Sequence, residues 1–487
     1  MSAESTKRSV SLVKNTLIIA FGKLSTQFLT FLLLPLYTTY LATSEFGTVD
    51  LVMTYVTLLA PIITVSLEMG VFRFLIDVRG DEERQKRIIS TVVRFTACML
   101  ALATAVYLLV WSFVNIPYGL YALGATVAVI VSNMFLQIAR GFGDNVKFAI
   151  GGMIAGATTI AANILFIVVM GVGARGMLTS TILANVACAI YLFVALKLYR
   201  YIDFCIHDRK LLQQLLGYSA PLVPNGASWW AINAADRTIV AIFLGVAANG
   251  VYAAAYRFPL VFNGLFSFFS MSWTESASVH INSPDRDAFF SKTMNAGVKL
   301  FGSLGLVMLA GLPIVFNLFV GAAFREAYLY IPLLIVGSFF NSIVGLYSAL
   351  YIAKKMTKQV MNTSIIAAVV SVVVSLVGIR FVGLYAPAAA MAVAFFAMAI
   401  YRHYDMKKYI AIRYEAKTFV VLALLYAVAI SLYYLNTLVG NIANIIIIGI
   451  AVLLLNRSVA VVLWKGVLSK GREFTRRTQR GKNISAP

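Results

Sequence analysis

Ionisable residues interrupt the apolar stretch NAADRTIVAIFLGVAANGVYAAAYRFP at residues 233–259. Asp236 and Arg237 form an adjacent acid–base pair, and Arg257 has no acidic residue near it in the sequence. Eight residues separate Arg237 from the break at Gly245, which is about 12 Å of helix against a hydrocarbon half-thickness of about 15 Å. Charged groups at this depth are costly and indicate, by default, a transport pathway or a binding site.

Seven basic residues lie within long apolar runs: Lys23, Arg73, Arg94, Arg237, Arg257, Lys299 and Arg457. Arg73 is four residues from Asp77 and can extend to the membrane surface. Arg457, in the last apolar run, is interpreted as structural. The other five are the candidate substrate-binding residues: Arg257, which is the strongest candidate, and Lys23, Lys299, Arg94 and Arg237. Because these bases outnumber the acids inside the runs, they favour an anionic substrate, and phosphate is the chemistry that Arg and Lys bind best.

Four acidic residues are candidates for coupling or charge balance: Glu68, Asp236, Glu275 and Asp50. One interpretation is that they take up a proton or a sodium ion that drives transport. The other is that they neutralise the intramembrane bases, as Asp236 would neutralise Arg237. The surplus of bases favours the second interpretation.

The second apolar run carries a polar stripe whose members are spaced 4, 3, 4, 3 and 4 residues apart: Asp50, Thr54, Thr57, Pro61, Thr64 and Glu68. This spacing places all six on one face of a helix. Lipid would not favour such a face, so we expect it to line a cavity or another helix.

Catalytic and metal-binding patterns are weak. His207, His280 and His403 are far apart and lack metal-ligand spacing, and the sequence has no glycine loop for a nucleotide phosphate. We therefore predict a protein that is not an enzyme, with no catalytic residue, no metal site and no cofactor.

The composition of this chain is that of a membrane protein. Hydrophobic residues make up 61% and charged residues 12% of the sequence, which is incompatible with a polar surface. The net charge of +21 would suggest nucleic acid in a soluble protein. However, 30 of the 40 Lys and Arg residues lie in alternate loops and at the termini, and only 3 lie in the other loops. This positive-inside distribution excludes a nucleic-acid partner and predicts a multi-pass protein with both termini in the cytoplasm.

Runs of about 20 apolar residues predict an all-α fold with about fourteen transmembrane helices. They lie at 15–39, 46–74, 88–114, 118–138, 148–171, 176–197, 217–244, 250–274, 293–318, 326–352, 359–380, 383–402, 416–435 and 442–464.

Three short similarities, in the same order along the chain, indicate an internal duplication of six helices. Residues 41–47 align with 244–250 at an offset of 203, and the later matches have offsets of 214 and 210. We therefore divide the chain into a first lobe at 1–200, an amphipathic cytoplasmic linker at 201–216, a second lobe at 217–410, an additional helix pair at 411–464 and a basic cytoplasmic tail at 465–487.

Three motifs resemble those of bacterial polysaccharide-transporter flippases of the multidrug/oligosaccharidyl-lipid/polysaccharide exporter superfamily. They are PLYTTYLATSEFGTVDLV at 35–52, ADRTIVAIFLGVAANGVYAAAYRFP at 235–259 and SMSWTESA at 270–277. The resemblance covers essentially the whole chain. It implies two six-helix lobes around a cationic cavity, with two additional helices.

The resemblance also implies a function in the bacterial cytoplasmic membrane. An undecaprenyl-pyrophosphate-linked oligosaccharide would pass from the cytoplasmic to the outer leaflet for polysaccharide biosynthesis, and Lys23, Arg94, Arg237, Arg257 and Lys299 would fit the contacts to its headgroup. The implied partners are this polyprenyl-linked glycan, membrane lipids and a polysaccharide polymerase or glycosyltransferases.

Three alternatives stay open at this stage. A lipid II flippase of the same superfamily is poorly separated by sequence alone. A multidrug exporter would be expected to have an acid-rich cavity, whereas bases outnumber acids here. A non-transporting scaffold for envelope enzymes is the third alternative. A glycosyltransferase would need larger outer loops than this chain has.

Overall fold

The computed structural model describes residues 31–114, 117–206 and 208–457, and its regular elements are helices. Within these ranges there are sixteen α-helices. They are α1 (Leu34–Tyr40), α2 (Thr43–Ile63), α3 (Leu67–Asp77), α4 (Glu82–Phe113), α5 (Gly119–Phe142), α6 (Asn145–Asn163), α7 (Gly173–Ala195), α8 (Arg209–Ser219), α9 (Leu222–Leu244), α10 (Val246–His280), α11 (Arg286–Phe319), α12 (Ile331–Ala353), α13 (Thr357–Val382), α14 (Tyr385–Met406), α15 (Ala416–Leu435) and α16 (Leu438–Leu455).

The helices form for two local reasons. A backbone in hydrocarbon must satisfy its own N–H and C=O groups, so the apolar runs become helices. Aspartates in the polar loops then fix where several of them begin. Asp81, Asp144 and Asp208 each accept a hydrogen bond from a backbone N–H three residues later, at the starts of α4, α6 and α8.

Eleven of the described helical segments are long and apolar enough to cross a membrane. The prediction of an all-α, multi-pass membrane protein is therefore confirmed. The predicted span 15–39 falls mostly on residues 1–30, outside the described part of the chain, and α1 covers its end. Helices α9 and α10 have 23 and 35 residues, so they have the length to cross, but they are not among the eleven. These two helices carry Asp236, Arg237 and Arg257.

The predicted helix 46–74 is broken in the structure. Helix α2 ends at Ile63, and Val65 and Ser66 adopt left-handed conformations with φ of 52° and 53° before α3 begins. Pro61, which cannot donate a backbone hydrogen bond, lies in the last turn of α2, and its carbonyl accepts from the Ser66 N–H at 2.8 Å. The break lies between Thr64 and Glu68, so the polar stripe does not continue along one helix.

The chain forms two compact units. The first contains the residues up to 281 and those from 316 to 406. Its core includes a cluster in which Leu67 and Val71 of α3, Ile89 of α4, Ile138 of α5 and Leu192 of α7 are buried. The second unit contains residues 282–315 and those from 407 onward.

Polar contacts join the helices of the second unit. The Tyr426 hydroxyl of α15 donates to the Gly302 carbonyl of α11 at 3.1 Å. Asn444 of α16 donates to the carbonyl of Ala429, also at 3.1 Å. These bonds connect α15 to α11 and α16 to α15. They pair polar side chains with carbonyl groups of the neighbouring helix, as is usual between membrane helices.

Arg402 of α14 is fully buried, although the charge count assigns it to a cytoplasmic segment. Its guanidinium donates to the Thr363 hydroxyl at 2.8 Å, to the Val344 carbonyl at 3.0 Å and to the Ser348 hydroxyl. The guanidinium carbon also lies 5.6 Å from the centre of the Tyr351 ring. Arg402 therefore links α12, α13 and α14 at one point.

We expect Arg402→Leu to lower the free energy of unfolding by roughly 1–3 kcal/mol, because the buried hydroxyl and carbonyl oxygens that it bonds would lose a charged donor. Thermal unfolding of the purified protein in detergent measures the effect. The control is Arg380→Leu, since Arg380 is exposed and contacts only the face of Phe243 in the described structure, at 5.5 Å. Equal melting temperatures for the two variants would contradict this role of Arg402.

Candidate functional site

Arg237 connects α9 to α2 within the first unit. Its Nε lies 2.8 Å from Oδ2 of Asp50 on α2, and its Nη1 lies 3.7 Å from Oδ1 of Asp236. Nη1 also donates to the Asn233 carbonyl at 2.7 Å, and the guanidinium carbon lies 4.6 Å from the centre of the Tyr256 ring. Two nitrogens and one face of this guanidinium are therefore in contact with acceptors or an aromatic ring.

Two carboxylates surround the single base of this cluster. Asp236 and Arg237 are each only 7% exposed, and the Tyr252 hydroxyl donates to Asp236. Buried charges are tolerated only when they are paired and hydrogen-bonded, which this arrangement achieves. With both carboxylates ionised, one base faces two acids, so another anion at Arg237 would compete with Asp50.

A second set of contacts joins α2 to α9 beside this ion pair. The Tyr55 hydroxyl forms a hydrogen bond with the Thr238 hydroxyl at 3.0 Å, and Trp230 Nε1 donates to the Thr54 carbonyl at 2.9 Å. The rings of Tyr55 and Trp230 lie 6.3 Å apart. Asp50 and Thr54, the upper part of the polar stripe, thus meet another helix, as predicted.

The starts of α2 and α10 touch through glycine. A Cβ atom added to Gly47 would lie 2.0 Å from the Val246 carbonyl oxygen, and one added to Gly250 would lie 1.9 Å from the Thr43 carbonyl oxygen. The contact is reciprocal, because both Gly47 and Gly250, and Thr43 and Val246, are separated by the offset of 203 found in the sequence. Asn249 adds a hydrogen bond to the Gly47 carbonyl at 2.9 Å.

The end of α1 closes against the end of α11 in a similar way. The Gly321 N–H donates to the Thr38 hydroxyl at 3.0 Å, and this hydroxyl lies 3.3 Å from the Phe319 carbonyl. We call the end of the unit that contains these contacts and the Gly47–Gly250 contact the short-loop end. The two halves of the chain are joined there.

We expect Gly250→Leu to separate the helices at the short-loop end, because no side chain fits at 1.9 Å from a carbonyl oxygen. The readout is thiol labelling of Thr54→Cys in a protein without its native cysteines, since Thr54 is buried behind the contact. Labelling should accelerate about tenfold or more, which corresponds to a population shift of about 1.4 kcal/mol.

The control for this experiment is Gly226→Leu, because nothing lies within 4 Å of a Cβ at Gly226. The control should label at the rate of the Thr54→Cys protein. Unchanged labelling in Gly250→Leu, in a protein that remains folded and monodisperse, would show that this contact does not hold the end closed.

Arg257 lies on α10 and is half-buried. Its guanidinium carbon lies 5.7 Å from the centre of the Phe46 ring on α2. Within residues 31–114, 117–206 and 208–457, no carboxylate forms an ion pair with Arg257. Arg237 and Arg257 therefore both face α2, and of the two only Arg237 is neutralised there.

The other predicted bases lie elsewhere. Lys299 lies in the second unit, where its ammonium is 2.6 Å from Glu415 and holds the pKa of that carboxyl below its usual value through this hydrogen bond. Arg94 of α4 lies 3.4 Å from the carbonyl oxygens of Phe204 and Ile206. Lys23 is outside the described residues.

The predicted acids are also dispersed. Asp50 and Asp236 hold Arg237, whereas Glu275 is exposed on α10. Glu68 accepts a hydrogen bond from Thr64 at 2.8 Å and lines a cavity of about 180 Å³ within the first half of the chain. The lower part of the polar stripe shares this cavity, together with Thr96 and Asn133: Thr57, Pro61, Thr64 and Glu68.

Some residues of the site were not singled out by the sequence. Tyr252 and Tyr256 are one turn apart on α10 and contact the acid–base cluster from the same face. Their spacing was a usable signal, because four residues separate side chains that share a helical face. Trp230, which contacts Thr54 and Tyr55 of α2, carried no such signal in the sequence.

The fold defines the class of protein. A structure of the lipid II flippase MurJ in an inward closed conformation matches with a TM-score of 0.64 at 15% identity, covering 94% of this chain and 99% of that one. An inward-facing multidrug resistance MATE family transporter of the MOP superfamily matches with a TM-score of 0.62 at 14% identity, covering 80% of this chain and 98% of that one. An outward-facing MATE family transporter matches with a TM-score of 0.57 at 14% identity, covering 81% of this chain and 95% of that one. The fold is that of the MOP superfamily of membrane transporters.

The family follows from the sequence match. Residues 12–274, more than half of the chain, match the model of the family described as polysaccharide biosynthesis protein. The chain belongs to this family, and the resemblance seen in its motifs is confirmed at this level. A comparison with curated protein sequences gave no match. The family is thus one of polysaccharide biosynthesis, and its fold is shared with membrane transporters of the MOP superfamily.

Proposed function

We propose that this protein is a flippase that moves an undecaprenyl-pyrophosphate-linked oligosaccharide from the cytoplasmic to the outer leaflet of the bacterial cytoplasmic membrane. The observation that carries the proposal is the pair of bases at the junction of the two halves. Arg257 has no carboxylate partner in the described ranges, and Arg237 is held by an acid that lies in the other half. A pyrophosphate needs such cations, because it cannot enter hydrocarbon unaided.

The geometry suggests how the headgroup would act on the protein. Arg257 follows Tyr256 in α10, and the ring of Tyr256 contacts the Arg237 guanidinium, so both bases belong to the place where α2, α9 and α10 meet. A headgroup that reaches Arg237 would compete with Asp50 for it. Because the Arg237–Asp50 bond joins the two halves, its loss would favour their separation. Substrate binding and opening would be coupled through this exchange of anions.

The conformation fits one stage of alternating access. The charge distribution in the sequence assigns the short-loop end to the outside of the membrane. The glycine contact and the Thr38–Gly321 contact then close the outer side, which suits loading from the cytoplasm. The higher score of the inward-facing MATE structure, 0.62 against 0.57, supports the same assignment.

The predicted architecture completes the proposal. Helices α9 and α10 and the run at 15–39 would add to the eleven apolar spans to give fourteen, with lobes at 1–200 and 217–410 and both termini in the cytoplasm. Arg94, Lys23 and Lys299 would contact the headgroup or glycan at other stages of the cycle. A polymerase or glycosyltransferases would be the partners that supply and use the glycan.

Membrane potential can contribute to the driving force. Moving about two negative charges outward gains roughly 4–5 kcal/mol per 100 mV. Of the four acids, Asp50 and Asp236 balance Arg237. Glu68, in its polar cavity, is then the acid best placed to take up a coupling proton.

A lipid II flippase is the second candidate, because the similarity to MurJ extends over 94% of this chain. Cells that lack this protein distinguish the two. Accumulation of a polyprenyl-pyrophosphate-linked oligosaccharide on the inner leaflet supports the proposal. Accumulation of lipid II instead assigns the second function, and accumulation of neither lipid overturns both.

A further inference from the structure

An apolar cavity of about 510 Å³ lies between α2, α4 and α5, apart from the acid–base cluster. Its walls are almost entirely hydrocarbon. They are formed by residues of α2 between 52 and 63, of α4 between 100 and 110 and of α5 between 122 and 127, among them Tyr55, Ala103, Tyr107 and Thr126.

Both ends of this cavity are held by packing. Toward the start of α4, Ile89 and Val92 are buried in the core against α3. Toward its end, the Tyr107 hydroxyl donates to the Gly119 carbonyl at 3.0 Å, and a Cβ on Gly119 would lie 2.9 Å from Trp111 Nε1. Between these points α4 stands away from α2. The space is therefore bounded by the fold and does not result from a loose helix end.

The cavity offers an occupant almost no polar group. The Thr126 hydroxyl is bonded to the Ala122 carbonyl at 2.8 Å, and the hydroxyls of Tyr55 and Tyr107 are bonded to Thr238 and Gly119. A cavity of about 150 Å³ with an apolar lining holds benzene. A cavity of about 510 Å³ therefore has room for a hydrocarbon of about twenty carbons, by the same proportion.

The cavity adjoins the cationic junction. Tyr55 lines it, and the hydroxyl of Tyr55 bonds to Thr238, the residue that follows Arg237. On α2, Asp50 is five residues before Tyr55, a rise of about 7 Å. A molecule with an anionic group at Arg237 could thus place an attached chain past Tyr55 into the cavity.

We propose that the cavity between α2, α4 and α5 binds the hydrocarbon chain of the transported lipid while its anionic headgroup lies at Arg237 and Arg257. This inference rests on the proposed function, because it assigns the chain to the transported lipid and not to bulk phospholipid. Binding of the chain next to the junction would hold the headgroup at high effective concentration near the two bases.

The test uses a polyprenyl pyrophosphate with a photoreactive diazirine in its chain, added to the full-length protein in vesicles of phosphatidylethanolamine and phosphatidylglycerol. After irradiation, mass spectrometry should find the label on residues 52–63 or 100–127, the segments that line the cavity. Ala103→Trp fills the cavity and should lower this labelling by about tenfold, the loss expected when two or so methylene contacts are removed. Ala105→Trp is the matched control, since Ala105 is exposed on the same helix and does not line the cavity; its labelling should stay unchanged.

Three results would overturn the inference: label outside residues 52–63 and 100–127, equal labelling in Ala103→Trp and wild type, or equally efficient labelling by a phosphatidylethanolamine with the same diazirine in its acyl chain. The last result would show that bulk lipid fills the cavity. Transport of the lipid-linked glycan is measured in the same vesicles. Transport without cavity labelling rejects only this inference, whereas specific labelling without transport rejects the proposed function.

Discussion

Replacing Arg237 with Gln should reduce transport of the lipid-linked glycan by about 100-fold or more, because it removes two charged contacts of about 1.5–3 kcal/mol each. The change leaves Asp50 and Asp236 buried next to each other without a base, so both the headgroup contact and the bond between the halves are lost. The measurement is the rate at which a labelled polyprenyl-pyrophosphate-linked sugar crosses reconstituted vesicles.

Asp50→Asn separates the two roles of Arg237. It keeps the base but weakens the bond that competes with the headgroup, so the purified protein should bind polyprenyl pyrophosphate more tightly than wild type. Because the same bond joins the halves, closure should be less complete and transport slower. If Asp50→Asn binds the lipid no more tightly, the proposed competition between Asp50 and the headgroup is wrong.

Arg257→Gln should reduce transport by about 10-fold to 100-fold while membrane insertion and melting temperature stay near those of wild type. Arg257 makes no ion pair within the described ranges, and its described contact is with the Phe46 ring, so little folding energy depends on its charge. Its loss removes about one charge-assisted contact to a phosphate. Arg257→Lys keeps the charge but loses the planar guanidinium that can donate two hydrogen bonds to one phosphate. This variant should retain part of the activity.

The Arg257 experiment also tests the scaffold alternative. Full polymer export by cells that carry Arg257→Gln would mean that this base has no substrate to bind. Together with unaffected export in Arg237→Gln, it would favour a non-transporting role for the protein.

Some features of the fold could be read from the sequence because they are local. The apolar runs predicted the helices, and helix α9 ends at Leu244, the residue at which the run was predicted to end. The offset of 203 was visible in short similarities, and it proved to relate the residues of the Gly47–Gly250 contact. The break at Val65 and Ser66 could not be read, because neither residue favours a left-handed backbone.

The candidate site was readable only in part. The sequence placed Arg237 and Arg257 on two consecutive apolar helices, and the structure has them on α9 and α10. The partners could not be read, because Asp50 lies 187 residues from Arg237 and Glu415 lies 116 residues from Lys299. Spacing along one chain predicts which residues share a helical face, but not which helices meet. For the same reason Arg402, near the end of a helix and followed by charged residues, was counted as cytoplasmic although the structure buries it among three helices.

The most direct measurement of the central claim compares the binding of two lipids to the purified protein by native mass spectrometry: a polyprenyl pyrophosphate and the uncharged polyprenol of the same chain length. If Arg237 and Arg257 receive an anionic headgroup, wild type prefers the pyrophosphate by about 100-fold or more, the equivalent of two charge-assisted contacts. The Arg237→Gln/Arg257→Gln double variant then loses this preference. Equal binding of the two lipids by wild type, or an undiminished preference in the double variant, would contradict the account.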